Sequence, residues 1–267
     1  MESRNPVFNR SEPFRHGGHA TFNTKPMSPT ELEDLYAAPS ATSLQTGRMT
    51  LDDVVVRTAA LFAVLLTTAA ATFFVLRPGP IVVFGSAIIG LVLALVASFG
   101  KPKPPVMIAY AAIEGVFVGG ISWWYTTMYG NGLVPQAVLG TLTAFAAMLV
   151  LYKTGVVRNS PRFTRTLMIA GVGYLAFGLL NLLLSAFSVG GWQNVYTSGG
   201  LLPILISGFG VALASFFLVL DFDFAEQGIR NGIPQIYAWT AAFGLVVTLV
   251  WLDLEMLRLL AILRGAD

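Results

Sequence analysis

Seven apolar runs, each near twenty residues and separated by short polar breaks, constrain this chain more than any other feature. They fall near 58–76, 80–99, 105–125, 134–152, 166–187, 201–221 and 238–262. About 20 apolar residues is the length at which a helix crosses a hydrocarbon core of roughly 30 Å. In hydrocarbon each backbone N–H and C=O must be satisfied within its own segment, so these runs read as helices. The breaks are written in turn chemistry: RPGP, GKPKPP, YGNGLVP, RNSPRFTR, SVGGWQNVYTSGG and IRNGIP. TLDD at 50–53 has the spacing of a capping box opening the first helix. Composition agrees: 11% of residues are charged, where a soluble domain carries about a quarter. So little charge cannot cover a water-facing surface. The expected fold class is an all-α polytopic membrane protein with seven transmembrane helices.

Residues 1–50 are a different material, rich in Asn, Pro, Ser, Thr, Gly and His, with no sustained apolar period. They read as a disordered N-terminal tail, with SPTELEDLYAA as one or two amphipathic turns, ahead of a helical domain over 51–267. No apolar core of a signal peptide lies in the first 30 residues, so no cleaved leader is expected.

Lys and Arg orient the spans. With the N-terminus inside, Arg4, Arg10, Arg15, Lys25, Arg48, Arg57, Lys101, Lys103, Lys153, Arg158, Arg162, Arg165 and Arg230 fall on the cytoplasmic side. Arg77, Arg258 and Arg264 fall on the other. That asymmetry places the N-terminus in the cytoplasm and the C-terminus outside. The lipid bilayer is the first partner.

Several function classes drop out. A net charge of +2 with no basic, aromatic-interleaved patch argues against nucleic acid. With no cysteine there is no disulfide, cysteine nucleophile or cysteine metal site. Both histidines, His16 and His19, sit in the tail, so no membrane-embedded histidine serves a serine nucleophile or an HExxH zinc site. No GxGD motif or phosphate-binding loop occurs. No enzyme activity and no cofactor are expected.

One carboxylate interrupts the third run, AYAAIEGVFVGG. Glu114 lies roughly 14 Å into its span at about 1.5 Å per residue. A charge at that depth costs at least ~2.5–3.5 kcal/mol. Neutralising a glutamate at pH 7 costs about 3.7 kcal/mol. The two sums are close, so Glu114 is expected neutral or paired. Ala111, Gly115 and Gly119 form a small-residue stripe that lets another helix approach. Glu114 should therefore face protein, as a hydrogen-bonded packing acid or a proton- or cation-handling group.

At the end of the sixth span, Asp221 and Asp223 point about 200° apart, so one of them faces the bundle. In the last helix Thr240, Gly244, Thr248, Trp251, Glu255 and Arg258 share one face. Glu255 and Arg258, at i,i+3, are spaced to pair. Asp253 points the other way and is expected at an exposed or interfacial position.

PQAVLGTLTAFAAMLVLY, LLNLLL in the fifth span, FFLVLDFDF and LVVTLVWLDLEMLRLLAIL resemble, in that order, the Bax inhibitor family. This is the transmembrane Bax-inhibitor-motif group. The Glu114–Gly115 pair fits it, and NPVFNR near the start is similar to the bacterial YccA-like branch. The resemblance covers roughly residues 50–264. It implies a seven-helix fold with the last helix surrounded by the other six, in a bacterial plasma membrane. For some members it implies a pH-sensitive calcium leak in which two aspartates of the sixth and seventh helices share a proton. YccA-like members are also linked to modulation of a membrane-bound AAA protease. The first aspartate of that pair maps to Asp221 or Asp223, with transient calcium binding at either. The second maps to Thr248, and a threonine cannot share a proton as an aspartate does. The expected function is a pH-sensitive cation (calcium) leak channel using Glu114, Asp221, Asp223, Thr248 and Glu255, with calcium ions or protons as partners. The alternative is a non-conducting regulator that binds another membrane protein, such as a quality-control protease.

The tail's composition cannot bury enough apolar area to order itself. Deleting residues 1–45 should leave membrane insertion, melting temperature and ion flux nearly unchanged. A truncated protein that fails to insert, or melts far lower, would show that the tail packs on the bundle.

Overall fold

The first helix starts where its cap predicts. Thr50 Oγ1 accepts the Asp53 N–H at 3.2 Å, and Asp53 Oδ2 accepts the Thr50 N–H at 3.1 Å. This reciprocal box satisfies two backbone donors that a helix start leaves orphaned. Helix α1 (Leu51–Ala71) continues as a π-helical turn, Thr72–Leu76, and stops at Arg77, whose φ of 44° is left-handed. There follow α2 (Pro80–Ser98), α3 (Pro104–Tyr129), α4 (Leu133–Lys153), α5 (Pro161–Ala186), α6 (Leu201–Arg230) and α7 (Ala238–Gly265). Proline sits at the opening of α2, α3 and α5, where its missing N–H costs nothing.

This computed structural model describes residues 47–187, 194–197 and 200–265, together with Pro29. Chain contacts separate Met1–Gln45 from Thr46–Asp267. The expected tail disorder, the SPTELEDLYAA turns, His16 and His19 lie outside the described residues. Residues 47–50 belong with the helices, so the helical unit begins ahead of residue 51. Met49 is buried, its N–H donates to Ile233 O at 2.9 Å, and the Gln235 N–H donates to Gly47 O at 2.8 Å.

Among the described residues the architecture is seven helices without a strand. Six of them, α1 to α6, are long and apolar enough to cross a membrane. Their outer faces carry large apolar side chains: Ile81 is 89% exposed, and Leu91, Val172 and Leu175 are also bare. Exposure on this scale suits hydrocarbon as the surrounding medium. In α7, thirteen of 28 residues are buried, which marks it as the helix that collects the others. It packs mainly on α1, α3, α4 and α6. Helix α5 leans on α6 and reaches α7 through Tyr174, while α2 packs chiefly on α3. The last helix is thus central, although the resemblance implied a closer ring of six.

Small residues set the closest approach. Side-chain atoms added at Gly115 or Gly119 of α3 would strike the backbone of α1 at Leu65 and Ala69. In hydrocarbon, apolar side chains gain little by leaving lipid, so close packing of this kind supplies the attraction. Thr68 and Thr72 line the same contact, with their hydroxyls returned to carbonyls of their own helix.

The two ends of the bundle differ in charge. The near end gathers Arg48, Arg57, Lys153, Arg158, Arg162, Arg165 and Arg230 with the turns on that side. There Gln235 donates to Asp53 at 2.6 Å, and Arg57 pairs with Asp53 at 2.7 Å. At the far end Trp124 donates to Pro78 O, and Arg264 donates to Tyr129 O at 2.9 Å.

The α1–α3 contact generates a paired test. Gly119→Ala should lose about 1–3 kcal/mol, the usual cost of overpacking. Gly178→Ala on α5, where the added carbon meets nothing within 4 Å, should be neutral or slightly stabilising. Melting temperatures of the two purified variants check this.

Candidate functional site

The face of α7 that carries Gly244, Thr248, Trp251, Glu255 and Arg258 meets α6 and α5, and two polar sites lie along that seam. Toward the far end, Glu255 is 3% exposed. Its Oε2 accepts the Tyr174 hydroxyl of α5 at 2.8 Å, and its Oε1 accepts the Trp251 indole N–H at 3.3 Å. Arg258 Nη1 donates to Oε1 at 2.9 Å and to Oε2 at 3.0 Å, and reaches the Tyr174 oxygen at 3.5 Å. The guanidinium carbon stands 4.3 Å over the Tyr196 ring, and Tyr125 of α3 is beside it. On α6, Gly210 makes the room: a β-carbon there would run into Glu255 Oε2 and the Tyr174 ring. The expected Glu255–Arg258 pair forms, and Tyr174 and Trp251 complete it.

Two turns nearer the opposite end, Asp221 of α6 faces Gly244 and stands beside Thr248 of α7. Its Oδ2 is buried and has no hydrogen-bond partner among the described residues. Of the two aspartates, Asp221 is the one that turns to the seam. Asp223 turns away and ties down the α4–α5 connection, accepting from Asn159 at 2.6 Å and from Gln227. Neither aspartate ends its helix. α6 runs on to Arg230, because Phe222, Ala225 and Gly228 continue its buried face. The helix outlasts its apolar run by about two turns.

Glu114 is a third location, apart from the seam. It is buried, as expected of an acid that faces protein, with its carboxyl against Gly90 of α2. The stripe of Gly115 and Gly119 beside it receives α1, so acid and stripe serve two different neighbours. No hydrogen bond reaches its carboxyl among the described residues. Asp253 differs from its expected exposed position. It is half-buried and accepts from Thr141 Oγ1 of α4 at 3.1 Å, because α4 covers the side of α7 opposite the seam.

Sequence reasoning missed Tyr174, Tyr125, Tyr196 and Asn159. Each lies in a different element from the acid or base it serves, so spacing carries no sign of the pairing. Tyr174 alone left a trace, as a hydroxyl amid the apolar fifth span. Among the described residues no group of three or more acids or histidines is placed to hold a metal ion.

The model of the family described as Bax inhibitor 1 like matches residues 5–265, and the chain belongs to that family. No curated protein matches the chain.

The contrast between a carboxylate held by three donors and one held by none can be measured. Glu255→Gln leaves Arg258 beside a neutral group, and breaking such a buried pair costs about 3 kcal/mol. Glu114→Gln breaks no hydrogen bond and should stay within about 0.5 kcal/mol of wild type. Thermal melts of both variants in one detergent check the difference.

Proposed function

We propose that this member of the Bax inhibitor 1 like family is a cation leak channel, calcium among its ions, gated by a proton on Asp221. In this reading all seven helices cross a bacterial plasma membrane, as in the YccA-like branch, with the N-terminus in the cytoplasm. The basic near end supports that orientation, since cytoplasmic loops keep their Lys and Arg. The carrying observation is the Asp221 carboxyl, set in the α6–α7 seam with one buried oxygen that has no hydrogen-bond partner among the described residues. An acid placed so within a membrane segment marks an ion or proton path.

The working parts follow from chemistry. Ionised, Asp221 offers a cation an oxygen ligand and a negative charge on the cytoplasmic side of the path. Protonated, it loses the charge, and its proton is available to the Thr248 hydroxyl across the seam. Flux should therefore rise with pH. Thr248 cannot itself ionise, so one proton sets the gate where a pair of acids would share it. Glu114, with no hydrogen-bond partner among the described residues, is a second site that can load and release a proton. No catalytic step is assigned to any residue.

A second reading, a non-conducting regulator that binds a quality-control protease or similar membrane protein, draws support from Glu255 and Asp253. Both acids are satisfied by partners inside the bundle.

Purified protein in liposomes, loaded with a calcium indicator and followed from acid to alkaline pH, decides between them. Wild type should leak calcium, faster as pH rises. Asp221→Asn should flatten the profile, because it cannot ionise, while Asp223→Asn should keep its slope. Absence of flux from wild type at every pH would favour the regulator.

A further inference from the structure

The contact between Arg258 and Glu255 has an unusual form. A guanidinium usually meets a carboxylate through two nitrogens, as parallel forks. Here one nitrogen, Nη1, meets both carboxylate oxygens, at 2.9 and 3.0 Å, and stands 3.5 Å from the Tyr174 oxygen, while Tyr125 bonds the same side chain. A single positive centre ringed by three oxygens is the geometry in which a carboxylate chelates a simple cation. The carboxylate does not depend on the arginine for position. Tyr174 and Trp251 hold one oxygen each, and neither bond involves the arginine.

The arginine has somewhere to go. Its side chain is 31% exposed while that of Glu255 is 4% exposed, so the arginine has an open side and the carboxylate has none. The Tyr196 ring already lies 4.3 Å from its guanidinium carbon, a cation–π contact that does not depend on the carboxylate. Further observations come from α6. Ser207, one turn before Gly210 on the same helix face, is fully buried, and its hydroxyl has no partner among the described residues. Asp221, 14 residues on, has its own unpartnered oxygen. Polar groups short of ligands thus lie along the face of α6 on both sides of Gly210, with fully buried Ala214 and Leu218 between them.

We propose that Glu255, Tyr174 and the Ser207–Gly210 face of α6 form an outer cation site, and that Arg258 is its tethered occupant. The guanidinium fills the place of a permeating metal cation and closes the far end of the path. When it withdraws from the carboxylate, an alkali or alkaline-earth ion takes the three oxygens in its stead. The inference rests on the cation-path reading above and gives that path its second gate.

Arg258→Gln keeps a hydrogen-bonding side chain but removes the plug's charge. Its melting temperature in detergent should rise by about 5 °C when potassium, sodium or calcium chloride replaces N-methylglucamine chloride at equal ionic strength. Wild type should not respond, and Glu255→Gln/Arg258→Gln should lose the response. In liposomes Arg258→Gln should raise cation flux about tenfold, since a fixed positive charge no longer repels the ion. If Arg258→Gln does not fold, Arg258→Lys takes its place in the melts, its shorter ammonium leaving room for a smaller rise with metal cations. A melting temperature indifferent to metal cations in whichever variant folds overturns the site and leaves a structural ion pair. The melts need no conduction, so they stand even where wild type and Asp221→Asn show no flux.

Discussion

Hydrocarbon cannot hydrogen-bond, and the rest of the structure follows from that constraint. Each span must satisfy its own backbone, so each becomes a helix, and charged side chains within the spans turn inward to protein. The helix that collects them is α7. Thr248 meets Asp221, Asp253 meets Thr141, and Glu255 meets Tyr174, Trp251 and Arg258. Its central place is the consequence: a helix with acids on two sides has no side to offer to lipid.

Close packing and polar pairing divide the work between two halves of the bundle. On one half, α1 and α3 approach through Gly115 and Gly119, and α2 lies over Glu114 with only Gly90 between. On the other, α5, α6 and α7 meet around Gly210, where the absent side chain makes room for a carboxylate and a phenol. Glycine thus serves two ends, bringing backbones together in the first case and admitting polar atoms in the second. The same residue type in α5, at Gly173 and Gly178, faces open space and serves neither.

Along the α6–α7 seam, charge and hydrocarbon alternate. Glu255 and Arg258 lie toward the far end, Leu218 and Leu252 are fully buried between, and Asp221 with Thr248 lies beyond them. On the proposed reading, an ion passing along the seam would meet a carboxylate at each side of this apolar stretch. Favourable entry with a barrier between sites is what a slow, regulated leak needs, as opposed to an open pore.

Sequence alone determined the number and nature of the elements. Apolar length sets a helix, turn residues end it, and TLDD caps the first, because these depend on neighbours along the chain. The α7 face from Gly244 to Arg258 was legible for the same reason, since helical periodicity is local. So was the pairing of Glu255 with Arg258, one turn apart. The tertiary structure decided what each polar group faces. It chose Asp221 over Asp223 for the seam, drew Asp253 inward under α4, set Gly90 against Glu114, and brought Tyr174 across from α5. Those choices turn on how each helix is rotated about its axis and which helix lies beside it. Two aspartates two residues apart have the same composition and the same hydropathy. Only a neighbouring helix distinguishes the one that meets protein from the one that meets a loop.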